Sequence, residues 1–126
     1  MGVLRVLVLA DDWSMQEMLE RVLRYRGWSV VSAQDRDRTL RLWRKGSFDV
    51  VVADLQIPRG RGWEMVKAIR SVESGLEPRI PIIALADAWR SDCRKDPQDE
   101  VVDRYLDKPF RVVALYSTIE EFVGQG

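Results

Sequence analysis

The sequence predicts a doubly wound α/β domain, in which a parallel β-sheet is covered by helices on both faces. Short apolar runs alternate five times with longer segments of helical periodicity, a pattern typical of consecutive βαβ units. The apolar runs are nearly continuous, as expected for parallel strands that are buried on both faces. We therefore expect five parallel strands joined by right-handed helical crossovers.

Five runs rich in aliphatic residues give the strand predictions. They cover Val3–Ala10, Trp28–Ala33, Phe48–Asp54, Arg79–Ala86 and the shorter Tyr105–Asp107. The first run is interrupted by a single charged residue, Arg5. Each run is short enough for a strand and too short for a typical helix.

Helices are predicted between the strands by apolar residues spaced three and four apart. The first helix is expected to start at the capping box Ser14–Glu17, and Gly27 occupies the position of a left-handed C-terminal cap. The second helix is expected to open at Asp37 or a neighbour and to end at Gly46.

The third helix is expected to follow Gly62, and a last helix carries one apolar stripe. The stripe consists of Val112, Leu115, Ile119, Phe122 and Val123. Between Asp87 and Glu100 the pattern calls for a further helix, but this segment has almost no apolar stripe and contains Pro97. We expect a short or distorted helix there, followed by a loop.

The composition excludes several functional classes. The 126 residues suit a single domain spanning 1–126, and twenty Lys and Arg balance twenty Asp and Glu, which disfavours direct binding of nucleic acid. No apolar run is long enough to cross a membrane, no signal peptide is seen, and the single Cys93 favours a cytoplasmic location. Because histidine is absent, the chain cannot use a Ser-His-Asp triad or a histidine-based zinc site.

Acidic residues follow two of the predicted strands, Asp11 and Asp12 after the first and Asp54 after the third. In the flavodoxin-like strand order 2-1-3-4-5 these strands are neighbours, about 4.8 Å apart, so the carboxylates would converge. Such a cluster suits Mg²⁺, and Lys108 after the fifth strand could reach the same edge. Taken singly, the acids could be helix caps or turn residues, and Lys108 could lie in a surface turn. Their occurrence together favours a phosphoryl-binding site.

The chain resembles the receiver domains of bacterial two-component response regulators, and the resemblance extends from Val3 to Phe122. The residues that carry it are Asp11-Asp12, Asp54 with Pro58 and Gly62 after it, and Lys108-Pro109-Phe110. The spacing between these blocks also fits the family.

The resemblance implies that Asp54 accepts a phosphoryl group from the phosphohistidine of a histidine kinase or phosphotransfer protein. It further implies that Asp12, Asp54 and the backbone carbonyl of Gln56 ligate Mg²⁺, with Asp11 acting mostly through water. Lys108 would pair with the phosphoryl oxygens, and the Lys108–Pro109 bond would be cis. The expected output is a change in contacts with a downstream protein, without direct contact to nucleic acid or membrane.

One switch position departs from the family. Ala86 stands where receiver domains usually have Thr or Ser, so one hydrogen bond to the phosphoryl group would be missing, whereas Tyr105 keeps the aromatic position. Phosphorylation would still occur while its usual readout is impaired. The alternative is a receiver-like interaction module that works without phosphate. An aspartate-nucleophile phosphatase is disfavoured, because such an enzyme needs an acid where Gln56 stands.

Overall fold

The computed structural model describes residues 3–10, 12–54, 61–73, 79–87 and 101–123. Five parallel strands lie in the order β2-β1-β3-β4-β5, which confirms the predicted fold class and strand order. The strands are β1 (Arg5–Leu9), β2 (Ser29–Ala33), β3 (Val50–Asp54), β4 (Ile82–Asp87) and β5 (Arg104–Lys108). The helices in the described part are α1 (Trp13–Tyr25), α2 (Arg36–Lys45), α3 (Arg61–Val72) and α4 (Val112–Val123).

Each face of the sheet carries its own hydrophobic core. On one face, residues such as Leu7 and Val51 pack with Met65 and Ile69 of α3, and α2 adds Leu42 and Trp43. This is the α2/α3 face. The other, which we call the α1/α4 face, joins β1 and β3 to buried leucines and isoleucines of the two remaining helices, namely Leu19, Leu23, Leu115 and Ile119. Burial on both faces explains the nearly continuous apolar runs of the strands.

The observed start of α1 corrects one prediction. Asp12, not Ser14, is the N-cap, and its carboxylate accepts a hydrogen bond of 2.8 Å from the backbone N–H of Met15. The predicted capping box over Ser14–Glu17 is therefore wrong, because both of its members already lie inside the helix. The predicted end is confirmed, since Gly27 has a φ of 96°.

The second helix begins at Arg36, a neighbour of Asp37, as predicted. Asp35 is its N-cap, accepting from the backbone N–H of Arg38 at 2.8 Å, whereas Asp37 lies in the first turn. Gly46 caps the other end, as predicted. Most of the atypical segment between Asp87 and Glu100 lies outside the described residues.

All five strands run the same way, so their carboxyl ends form one edge of the sheet. We call this the carboxyl edge and the opposite one the amino edge. The register pairs Leu9 with Ala53, Asp54 with Leu85, and Asp87 with Lys108. No helix in the described part of the chain has the length and apolar character needed to span a bilayer.

Candidate functional site at the carboxyl edge

Asp54 is the last residue of β3, a strand that is buried throughout. The residue itself is only 3% exposed, and its register partner on β4 is the apolar Leu85. Burying a carboxylate in such surroundings is unfavourable unless it is paired with a cation or hydrogen-bonded. The position of Asp54 therefore requires a compensating group from another element.

Lys108 supplies that group. Its Nζ donates a hydrogen bond of 2.7 Å to Oδ1 of Asp54, and both side chains are largely buried. Lys108 ends β5, two strands away from β3, so its side chain reaches across the end of β4. The short distance is typical of a charge-assisted bond between an ammonium and a carboxylate. The Lys108–Pro109 peptide bond is cis, as the resemblance implied.

Asp12 lies at the same edge, three residues beyond the end of β1. One carboxylate oxygen caps α1, and the side chain is exposed. Asp11 and Gln56, the other expected Mg²⁺ ligands, lie outside the described residues. Within the described part of the chain, no three acidic, cysteine or histidine side chains come together as a metal site. The carboxylates that are described, Asp12 and Asp54, are oxygen donors of the class that Mg²⁺ prefers.

The two expected switch residues both lie on the α2/α3 side of the sheet. Tyr105 pairs in register with Ala84 and packs, partly buried, against the core of that face. Ala86 is two residues beyond Ala84, so strand alternation gives its methyl group the same direction, and it is 4% exposed. Its role and that of Tyr105 remain predictions.

Two exposed apolar side chains lie close in sequence to the site. Trp13 follows Asp12 at the start of α1 and is 72% exposed, whereas Val113, near the start of α4, is 68% exposed. Both helices begin at the carboxyl edge and pack on the α1/α4 face. The other tryptophans of the described chain are partly buried, with Trp43 stacked on Phe48.

An arginine at the amino edge was missed by the sequence analysis. Arg70 of α3 donates from Nε to the carbonyl of Val101 and from Nη1 to the carbonyl of Ile80, at 2.9 and 2.8 Å. It also donates to the carboxylates of Glu73 and Asp103, at 2.9 and 2.8 Å. Only 13% of its side chain is exposed.

Asp103 extends this network to the start of the strands. Its carboxylate accepts from the backbone N–H of Ile82 at 2.8 Å and pairs with Arg79 at 3.2 Å. The network therefore holds α3, the beginning of β4 and the segment before β5 together. β4 begins at Ile82, after the predicted start at Arg79, and the N–H and carbonyl of Ile80 bond to the side chains of Glu73 and Arg70.

Comparisons with known proteins agree with the geometry. Residues 6–120 match the family described as the response regulator receiver domain. A response regulator MprA from a Mycobacterium species is 36% identical over 111 residues, which is 88% of this chain and 46% of that protein. The chain thus spans about half the length of the curated regulators of this kind.

Solved structures give the same result. The receiver domain of sensor histidine kinase PA1611 from Pseudomonas aeruginosa, with a magnesium ion coordinated in its active-site cleft, matches with a TM-score of 0.83 and 26% identity, covering 98% of this chain and 99% of that chain. Response regulator TrrA from Thermotoga maritima, in complex with Mg²⁺ and BeF, matches with a TM-score of 0.79 and 25% identity, covering 95% and 99%. On these matches, the chain belongs to the response regulator receiver domain family, a group of signalling modules.

Proposed function

We propose that this chain is a Mg²⁺-dependent phosphoacceptor in two-component signalling, in which phosphorylation of Asp54 changes its contacts with other proteins. The observation that carries the proposal is the buried ion pair between Asp54 and Lys108, at the carboxyl edge of a receiver fold. Ligands of doubly wound sheets bind at this edge. The whole chain, 1–126, would act as one domain.

The group transfer would proceed by attack of an Asp54 carboxylate oxygen on the phosphorus of a partner's phosphohistidine. The new bond joins this oxygen to phosphorus while the N–P bond breaks. The electron pair returns to the imidazole, which takes up a proton. Lys108 would then turn its ammonium from the carboxylate to an oxygen of the transferred group. The chain would at most catalyse this transfer and the later hydrolysis of its own aspartyl phosphate.

Asp12 and Asp54, with Asp11 and the backbone carbonyl of Gln56, would hold the Mg²⁺ ion. When bound, the ion neutralises charge on the phosphoryl oxygens. The oxygen-only donor set and the absence of histidine from the chain support this choice of metal. The magnesium present in the PA1611 and TrrA structures supports it as well.

The phosphodonor would be a cytoplasmic histidine kinase or a phosphotransfer protein. Trp13 and Val113, exposed near the starts of the two helices that begin at the carboxyl edge, would provide apolar contact for it. Exposed aromatic side chains are common anchors of protein interfaces. The output would be a change in contacts with a downstream protein, with no direct contact to nucleic acid or membrane.

The proposal is tested with Mg²⁺ and acetyl phosphate as a small phosphodonor, followed by intact-protein mass spectrometry. We expect one phosphoryl group on the wild type and none on Asp54→Asn, whereas Asp35→Asn, which changes an acid that caps α2, should be phosphorylated normally. Amide NMR with Mg²⁺ and beryllofluoride should show shifts around Tyr105. No mass gain and no shift would favour the alternative, an interaction module that works without phosphate.

A further inference from the structure

Helix α2 carries an unusual concentration of positive charge on its outer surface. Its ten residues include five cations, Arg36, Arg38, Arg41, Arg44 and Lys45, against a single carboxylate, Asp37. All six side chains are exposed, along a helix about 15 Å long. Because the chain as a whole has net charge zero, this surface is positive against a background that is negative on balance.

These five cations have no partners among the described residues, either by hydrogen bond or by ion pair through their side chains. Apart from the exposed Arg111, the other arginines whose side chains are described are held by carboxylates or aromatic rings. They are Arg5, Arg21, Arg24, Arg26, Arg70, Arg79 and Arg104. Like charges three and four residues apart on a helix are mildly destabilising, and Arg41 stands in that relation to both Arg44 and Lys45. This repulsion offsets part of the favourable interaction that Arg44 and Lys45 make with the helix dipole in the last turn.

A shallow depression of about 350 Å³ lies on this helix, and its lining has a regular spacing. It is formed by Asp37, Leu40, Arg41, Arg44 and Lys45, which occupy positions i, i+3, i+4, i+7 and i+8. This set is one continuous stripe on the surface of an α-helix. We call it the α2 stripe. The stripe begins with the carboxylate of Asp37 and continues with the half-buried side chain of Leu40. The three cations follow towards the end of the helix.

We propose that the α2 stripe docks an acidic amphipathic helix of a partner protein. Carboxylates of that helix would pair with Arg41, Arg44 and Lys45, and an apolar side chain would cover Leu40. A cation of the partner helix would pair with Asp37. Because Asp37 lies at one end of the stripe, this pair would fix the direction in which the partner helix binds. The stripe spacing matches the contacts that one helix makes with another in helix-in-groove recognition.

Other anionic partners fit the stripe less well. A nucleic acid backbone would be repelled by Asp37 and would gain nothing from Leu40. A membrane-surface helix needs an exposed apolar face, but Leu42 and Trp43 of α2 pack into the core of the α2/α3 face. An acidic helix uses the acid, the leucine and the cations together.

The test uses the full chain and a fluorescein-labelled synthetic peptide that carries Glu and Leu at helical spacings, with one Lys placed to meet Asp37. We expect saturable binding in fluorescence anisotropy that weakens at least roughly tenfold in the double variant Arg41→Glu/Arg44→Glu. Arg21→Glu/Lys67→Glu, which makes the same charge change at exposed cations outside α2, should leave binding almost unchanged. Leu40→Ser should weaken binding roughly fivefold, and this loss should persist at high salt.

Several outcomes would overturn the proposal. Equal losses in the two charge-reversal pairs would show attraction to overall charge rather than to the stripe. If the peptide does not bind, the proposal is also rejected. Binding of a short DNA duplex or of phosphatidylserine vesicles through the stripe would then identify the other kind of partner. Circular dichroism melting establishes that each variant folds, and Arg41→Ala/Arg44→Ala replaces the reversal if that variant does not. Asp54→Asn should bind the peptide like wild type, so this result is independent of the proposed phosphorylation.

Discussion

The two edges of the sheet each hold a largely buried cation, and they hold it differently. At the amino edge, Arg70 uses four N–H groups on two carboxylates and two backbone carbonyls. At the carboxyl edge, the ammonium of Lys108 donates to Oδ1 of Asp54. Both cations are about equally exposed, at 13% and 12% of their side chains. Burial alone therefore does not distinguish them.

The difference lies in the chemistry of the two side chains. A guanidinium is a rigid planar fork, and with four donors engaged it holds several elements in one arrangement. An ammonium is a point charge on a flexible stem, and its donors rotate, so it can exchange one anionic partner for another. The network of Arg70 therefore favours one fixed arrangement of the amino edge, whereas under the proposed function Lys108 would exchange Asp54 for the phosphoryl group at the carboxyl edge.

The largest effect on stability is expected from removing Arg70 at the amino edge. Arg70→Ala should lower the free energy of unfolding by about 3 kcal/mol, because Glu73 loses its cation, Asp103 keeps only Arg79, and two carbonyls lose donors. Urea denaturation followed by circular dichroism measures this change. Lys67→Ala, an exposed position on the same helix, is the control and should stay within about 0.5 kcal/mol of wild type. A similar loss in both variants would mean that the network contributes nothing specific.

The next effect tests whether the carboxyl edge needs an ammonium. Lys108→Arg keeps the charge, but its fork would engage both oxygens of Asp54, including the one that must attack phosphorus. We expect the rate of phosphorylation by acetyl phosphate to fall roughly 30-fold, which corresponds to about 2 kcal/mol. Stopped-flow tryptophan fluorescence or timed mass spectrometry measures the rate. If Lys108→Arg is phosphorylated as fast as wild type, phosphorylation does not depend on an ammonium group that can exchange its anionic partner.

A smaller effect separates two roles of Asp12 by comparing it with Asp35. Both cap a helix with a bond of 2.8 Å, and only Asp12 is proposed to ligate Mg²⁺. Replacing either by Ala should cost about 1 kcal/mol of stability, whereas Asn should preserve the cap. Asp12→Asn should nevertheless weaken Mg²⁺ binding at least roughly tenfold, measured by titration of tryptophan fluorescence. Equal Mg²⁺ affinity in Asp12→Asn and Asp35→Asn would remove Asp12 from the metal site.

The features that the sequence predicts well are those with a local or repeated signal. The strands appear as apolar runs because both of their faces are buried, and Gly27 marks a helix end because its φ is positive. The start of α1 was misplaced because two candidate caps, Asp12 and Ser14, lie two residues apart. The Ser-x-x-Glu pattern favoured Ser14. In the structure the carboxylate of Asp12 accepts the hydrogen bond from the N–H of Met15, so Asp12 is the cap.

Long-range polar contacts can also be predicted from the sequence only where their residues give a recognisable signal. Asp54 and Lys108 could be brought together because each follows a strand and the strand order places both at one edge. Arg70 offered no such signal, since its partners Val101 and Asp103 lie 31 and 33 residues away. Two of its four acceptors are backbone carbonyls, which every residue type carries. Only the packing of α3 against the sheet reveals its role.

The smallest expected effect concerns Ala86, where the carboxyl edge departs from its family. Ala86→Thr adds a hydroxyl beside the proposed phosphoryl position, and one added hydrogen bond is worth about 1 kcal/mol, or roughly a fivefold slower loss of the phosphoryl group. Ala86→Val adds the same bulk without a donor and serves as the control. Mass spectrometry after removal of donor gives the lifetime, and amide NMR of Tyr105 gives the readout. If Thr and Val behave alike, the space at Ala86 matters and the missing hydroxyl does not. If Thr alone prolongs the phosphorylated state and enlarges the Tyr105 shift, Ala86 keeps the switching edge of this receiver weakly coupled to its aromatic residue.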